Sequence, residues 1–305
     1  MLPDYCLFLS FLLNSSESGL PIEYRISLAV LYLLVFIGGI VGVIIMSTTI
    51  MSNMLSVTRV SVINLLVLHL IFLLTVPFRV YYYVADQWKL SPYFCKLVSS
   101  MLHGHMYLSF IFYAIILCNR YLTYFEWRHR QEFYRELHAV IASVTIWAII
   151  LTIVIPSTIN YGSGTNPSSL KTSNNTQCFA FGTALHNPNV KVMNYIICSV
   201  VLLIWVLLAS CQFYIMWRVR QKHGKFRWFH QEFWAQIKSL CFVLIMLICF
   251  VPYQAFRIYY AHTYWPGLEK VNEVFLVVTA FSCFDMLLFA GREVWQSAYK
   301  MCCIT

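Results

Sequence analysis

The chain has 305 residues, of which 60% are hydrophobic, 17% aromatic and only 11% charged, with a mean hydropathy of +0.69. Soluble domains average ~25% charged residues, so this composition excludes a disordered chain, a nucleic-acid module and an ordinary soluble enzyme. Lys and Arg (21) outnumber Asp and Glu (12), leaving net +9, and in so apolar a chain that excess reads as a membrane-topology signal rather than a nucleic-acid footprint.

Residues 1–25 read as an extracellular segment. Their first thirteen are apolar, but they lack a basic start and are broken by Asp4, so a cleaved signal peptide has little support. Seven apolar runs follow, at about 26–50, 58–84, 93–124, 138–160, 189–217, 233–261 and 271–290, each near the ~20 residues that a crossing helix needs. Residues 26–290 therefore form one transmembrane domain. Residues 291–305 read as a cytoplasmic amphipathic helix and tail. Strand-type alternation is absent, which argues against a β-barrel. The fold class is an all-α membrane protein: a seven-helix bundle with a short amphipathic helix after the seventh span.

With the amino terminus outside, thirteen of the 21 basic residues fall on the cytoplasmic side, densest from Arg218 to Arg227. This is the positive-inside bias. The sequons at Asn14 and Asn174 both fall outside under this topology, as glycosylation requires. Cys95 and Cys178 also lie on the oxidising side and are expected to pair. Cys118, Cys198, Cys211, Cys241, Cys249 and Cys283 lie within spans and read as small apolar packing residues. Cys302 and Cys303 follow the amphipathic stretch. They are either acylated, anchoring that stretch to inner-leaflet lipid, or plain tail thiols.

Several motifs, in order and at matching spacing, resemble the rhodopsin-like (class A) G-protein-coupled receptors over nearly the whole chain. They are Asn64-Leu65-Leu66, Cys95 with Cys178, Asn119-Arg120-Tyr121, Trp147, Cys249-Phe250-Val251-Pro252-Tyr253 and Asp285. The Cys-Phe-x-Pro-Tyr form, with Val76-Pro77-Phe78-Arg79, is most similar to the purinergic-type branch. The resemblance implies a plasma-membrane receptor with an outer ligand cavity. It also implies an inner cleft for a heterotrimeric G protein, lined by Asn119, Arg120, Tyr121, Tyr214 and Lys238. Phe250, Pro252 and Phe289 fall at its switch positions.

The chain departs from the family pattern at several places. Gly39 replaces the usual span-one Asn, His69 the span-two acid, Asn119 the acid before Arg120, and Phe250 the span-six Trp. Met286 and Phe289 stand where a Pro and a Tyr are usual. With His69, Ser109 and Asp285 at the mid-membrane positions, a weakened sodium site and a His69–Asp285 contact are expected. The alternative is a neutral His beside a protonated Asp. An uncharged Asn119 removes an ion-pair restraint on Arg120, so raised basal activity is expected unless other contacts compensate.

In the outer half, Phe250, Gln254 and Arg257 fall at i, i+4 and i+7, one helical stripe. His103 and Tyr107 share a stripe on span three. Arg79, His103, Tyr107, Gln254 and Arg257 are the candidate ligand set. A buried unpaired cation is costly, so Arg79 and Arg257 either snorkel to headgroups or face water or an anion. Glu273 is a candidate partner for Arg257. His103 has a packing reading as well as a ligand one.

His103 and His105, two residues apart, point to different helix faces and make a poor metal pair, so no metal and no cofactor are expected. Neither a nucleophile elbow nor a phosphate-cradling glycine loop is present. The reading is a receptor for an extracellular, anionic small molecule, not an enzyme and not a nucleic-acid binder. A receptor-like partner without signalling is the alternative. A transporter is less favoured, since paired inverted halves are absent.

Overall fold

The computed structural model describes residues 21–52, 57–125, 178–179, 188–223, 231–263 and 267–289, with isolated positions between 141 and 152. Span one is the helix Ile22–Ser52, span two Val57–Ala85, span three Pro92–Tyr124 and span five Pro188–His223. Span six is built from Gln231–Ile245, a π turn at Met246–Phe250, and Val251–His262. Span seven runs as an α-helix over Gly267–Ala280 and winds on as a 3-10 helix from Phe281 to Phe289. Five of these helices are long and apolar enough to cross a membrane. The 31 residues of span one alone rise about 46 Å, more than a hydrocarbon core requires. Most of span four, the sequons at Asn14 and Asn174, and Cys302 and Cys303 lie outside the described residues.

Local chemistry explains where these helices start and bend. Span three opens with Ser91, whose Oγ accepts from the Tyr93 amide at 3.3 Å, and with Pro92 in the first turn, where its missing N–H is harmless. In span six, Pro252 sits two residues after the π turn. A proline cannot donate to the preceding turn and its ring crowds it, and the widened turn at Met246–Phe250 takes up that mismatch. Below Arg257, span six thus carries a π turn with a proline two residues on. Nothing comparable interrupts the helix of span one.

The outward faces carry Leu33, Ile37, Ile44, Leu74, Leu203 and Phe213 in the open, the apolar exterior of a bundle that sits in lipid. Inside, spans one, two and seven approach closely at glycines. A Cβ on Gly39 would lie 2.6 Å from Leu73 Cδ2, and one on Gly42 would lie 3.1 Å from Met286 Cβ. Small residues let helix backbones meet where lipid supplies no hydrophobic drive. Gly39, in place of the family's asparagine, therefore serves packing.

Polar ties fix the remaining helices. Asn64 Oδ1 accepts from Trp147 Nε1 at 3.0 Å and from Ser143 Oγ at 2.8 Å, joining span two to span four. Tyr121 Oη donates to the Leu208 carbonyl (3.1 Å), and Tyr113 Oη to that of Ser282 (3.2 Å). At the outer end a disulfide joins Cys95 to Cys178 across 83 residues. It lays Phe179 on Tyr82, Tyr83 and Trp88.

Candidate functional site

Three polar layers run through the bundle. The outer one holds two arginines in different surroundings. Arg79 on span two is fully buried. Its Nη1 donates to Glu273 Oε2 and to Tyr32 Oη, each at 3.1 Å, and its guanidinium lies 4.2 Å from the centre of the Phe179 ring. Tyr83 Oη donates to the same carboxylate oxygen at 2.9 Å. Arg79 therefore does not snorkel: its charge is answered inside the protein by span seven. Its Nε and Nη2 make no hydrogen bond to any described residue.

Arg257 on span six is half-buried. Its Nε donates to Asn194 Oδ1 at 3.0 Å and its Nη1 to Asn272 Oδ1 at 3.3 Å, with the Tyr260 ring 5.6 Å away. Glu273, a candidate partner by sequence, faces Arg79 instead. Among the described residues no carboxylate lies within ion-pair distance of Arg257. His103 lies within electrostatic range of both arginines, while its Nδ1 bonds to the Ser99 carbonyl at 3.0 Å. Tyr107 lies in range of Arg257 as well. Gln254 is buried, with Nε2 against Met106 Sδ at 3.8 Å and Oε1 without a hydrogen-bond partner among the described residues. The structure thus brings His103, Tyr107 and Arg257 into one region and turns Gln254 towards span three.

The middle layer joins His69, His105, Ser109, Cys283 and Asp285, all fully buried or nearly so. His69 Nε2 lies 3.1 Å from Asp285 Oδ1, within ion-pair distance but outside hydrogen-bond alignment. On the other edge of the same ring, His69 Nδ1 meets His105 Nε2 at 2.8 Å. Cys283 Sγ lies 3.4 Å from His69 Nδ1 and 3.5 Å from His105 Nε2. Ser109 Oγ is buried without a hydrogen-bond partner among the described residues. His105 and Cys283 were not among the candidate residues. A signal for His105 existed, since it stands four residues before Ser109 and so shares its helix face. Cys283 carried none, because a cysteine in an apolar span reads as packing.

At the inner end, Arg120 Nη1 donates to Ser239 Oγ at 2.9 Å and to the Ala235 carbonyl at 3.3 Å, and the guanidinium sits 5.6 Å from the Phe242 ring centre. Span three is thereby held to span six through Arg120. Lys238 lies in electrostatic range of Arg120. Tyr214 stacks with Phe125 at 6.4 Å and carries Arg218 over its ring at 5.9 Å. At the switch positions, Phe250 is buried between Phe110 and Tyr113, at 6.2 and 6.0 Å. The side chain of Phe289 lies outside the described residues.

A bundle of membrane-crossing helices, an outer disulfide onto span three, an arginine latched to span six at the inner end and a polar layer between them define a seven-span receptor. The family model for the 7 transmembrane receptor (rhodopsin family) matches residues 40–289, and the chain belongs to that family. It is 44% identical over 291 residues to the human protein named Probable G-protein coupled receptor 141, covering 92% of each chain. It is 25% identical to the N-arachidonyl glycine receptor of Mus musculus, over 91% of this chain and 84% of that one. It is 24% identical to Probable G-protein coupled receptor 34 of Pan troglodytes, over 85% and 70%. These relatives are receptors, so the chain is a multi-pass membrane receptor and not an enzyme.

Proposed function

We propose that the chain is a plasma-membrane receptor, amino terminus outside, that converts binding of an extracellular anionic small molecule into activation of a heterotrimeric G protein. The supporting observation is the unequal treatment of its two outer arginines. Arg79 is neutralised by Glu273, whereas Arg257 is held by the neutral oxygens of Asn194 and Asn272. A guanidinium posed by two amides keeps its full charge and can present a fork to a carboxylate or phosphate. It also shares span six with Phe250, beyond the π turn and Pro252, so a ligand drawn to Arg257 pulls on the element that the family moves. The ligand shifts the resting balance only by its preference for the active shape. The relative named for N-arachidonyl glycine, an acyl amino acid ending in a carboxylate, fits the same ligand class.

The test is G-protein activation in cells expressing the chain, with panels of lipid acids, nucleotides, carboxylate metabolites and, as contrast, amines. An acidic agonist is expected. Charge-assisted hydrogen bonds contribute about 1.5–3 kcal/mol, so Arg257→Ala should weaken that agonist roughly 10- to 150-fold. Arg257→Lys should restore part of the loss. An amine agonist indifferent to both substitutions would overturn the proposal.

A further inference from the structure

The middle layer carries chemistry that signalling by itself does not require. Two imidazoles and a thiol, one each from spans two, three and seven, turn their ligating atoms on a common point. These atoms, His69 Nδ1, His105 Nε2 and Cys283 Sγ, all lie within 4.8 Å of one another in the buried core. We propose that His69, His105 and Cys283 form a buried binding site for a single Zn2+ ion.

The donor set selects the ion. Imidazole nitrogen and thiolate sulfur suit zinc and other borderline-soft transition metals, while sodium, magnesium and calcium take oxygen donors. The dimensions agree. Zinc binds nitrogen at about 2.0–2.1 Å and sulfur at about 2.3 Å, which at tetrahedral angles places N and S about 3.5 Å apart and the two N atoms about 3.4 Å apart. The observed separations from Cys283 Sγ are 3.4 and 3.5 Å. The two imidazoles stand 2.8 Å apart and must open by about 0.6 Å to admit the ion. A water is expected as fourth ligand, since structural and catalytic zinc alike are four-coordinate.

Of the two imidazoles, His69 has a carboxylate behind it, while His105 Nδ1 has no hydrogen-bond partner among the described residues. The ring edge of His69 opposite its ligating nitrogen lies 3.1 Å from Asp285 Oδ1, close but out of hydrogen-bond alignment; the ring shift that admits the ion must also bring the two into line for the carboxylate to fix the tautomer and orientation. His105 is held by Phe72, stacked at 4.2 Å between ring centroids. Asp285 stands beside His69, with Tyr113 also in its electrostatic range, and neither of its oxygens meets an aligned hydrogen bond among the described residues. Binding displaces the Cys283 thiol proton, which leaves to solvent. His69 keeps its proton on Nε2, towards Asp285, and His105 carries its own on Nδ1. Two positive charges on zinc then meet one thiolate and one carboxylate, and the site is neutral, as a low-dielectric interior demands. The ion would tie three spans together at mid-depth.

The test uses the full chain, purified in detergent and stripped with a chelator. Titration with Co2+ should give one equivalent of binding, with a thiolate-to-cobalt charge-transfer band and the visible bands of four-coordinate cobalt, both abolished by added Zn2+. Cys283→Ser should remove the charge-transfer band and weaken Zn2+ at least 100-fold. Asp285→Asn, acting through His69, should weaken it about 10- to 100-fold. X-ray absorption of the unmodified zinc-loaded protein, which needs no variant to fold, should show two nitrogens and one sulfur in the first shell. Failure to bind one equivalent, a charge-transfer band undiminished in Cys283→Ser, or a shell without sulfur would each overturn the proposal.

Discussion

Arg79 and Arg257 occupy the same outer half of one bundle, yet the protein handles them differently. Arg79 is fully buried with a carboxylate, the Tyr32 hydroxyl that accepts from it, the Tyr83 hydroxyl that donates to that carboxylate, and an aromatic face. Arg257 is half-buried, and its hydrogen bonds among the described residues go to two amide oxygens, with an aromatic ring beside it. The first arrangement satisfies a charge, and the second displays one. A buried cation with its own counter-ion is a structural element, and one with neutral partners is what the proposed anionic ligand would meet. The contrast can be broken or sharpened by experiment, beginning with the bridge that supports the Arg79 side.

The disulfide should give the largest effect. It delivers Phe179, with a left-handed backbone (φ 71°), onto the Arg79 guanidinium and the surrounding aromatic rings. Closing an 83-residue loop restricts the unfolded chain by about 4–5 kcal/mol in the entropic account, an upper value for a chain already confined by the membrane. Cys178→Ser should lower the melting temperature of the purified receptor and cut surface expression sharply. Intact surface expression with an unchanged melting temperature would show that the Arg79 cluster stands without the bridge.

Glu273 comes next, and it separates the two arginines most directly. Glu273→Gln leaves Arg79 as an uncompensated buried charge, a change that typically destabilises by about 3–5 kcal/mol. Arg257→Gln removes a charge that has no carboxylate within ion-pair distance among the described residues and should change thermal stability by less than about 1 kcal/mol, the ordinary scale of a neutral hydrogen bond. The double change Arg79→Gln with Glu273→Gln should recover much of the single-site loss, because the pair leaves together. Equal destabilisation by Glu273→Gln and Arg257→Gln would erase the distinction.

How far these arrangements were legible in the sequence depended on the range of the interaction. Apolar runs place the spans because bilayer thickness acts on consecutive residues. The helices overrun those runs where polar ends continue the backbone hydrogen bonding, as from Arg218 to His223 on span five. Pro252 marks the bend of span six, but the π turn before it depends on how the chain absorbs the lost hydrogen bond. The pairing of Arg79 with Glu273 spans 194 positions, and no local pattern says which of two arginines a distant acid will choose. The meeting of His105 with Cys283 is further hidden by the change to 3-10 winding at Phe281, which re-aims every side chain after it.

The same contrast extends to a third arginine, and there the expected effect is smallest. Arg120 at the inner end resembles Arg257 in having neutral described partners, the hydroxyl of Ser239 and the carbonyl of Ala235. Asn119 stands where the family carries an acid, so the family's ion-pair restraint on Arg120 is lost, and a hydrogen-bonded latch to span six holds the guanidinium instead. Such a latch holds the resting arrangement only as strongly as one partly exposed hydrogen bond, about 1 kcal/mol. Releasing it shifts a two-state balance about 5-fold. Ser239→Ala should therefore raise basal G-protein activation severalfold at equal surface expression, with no change in an agonist's dependence on Arg257. Asn119→Asp should act in the opposite direction, by restoring a charge beside the guanidinium. If Ser239→Ala leaves basal signalling unchanged while Asn119→Asp lowers it, the latch is not what limits the resting state. Arg120 would then differ from Arg257 in kind, as a cation held by packing against Phe242.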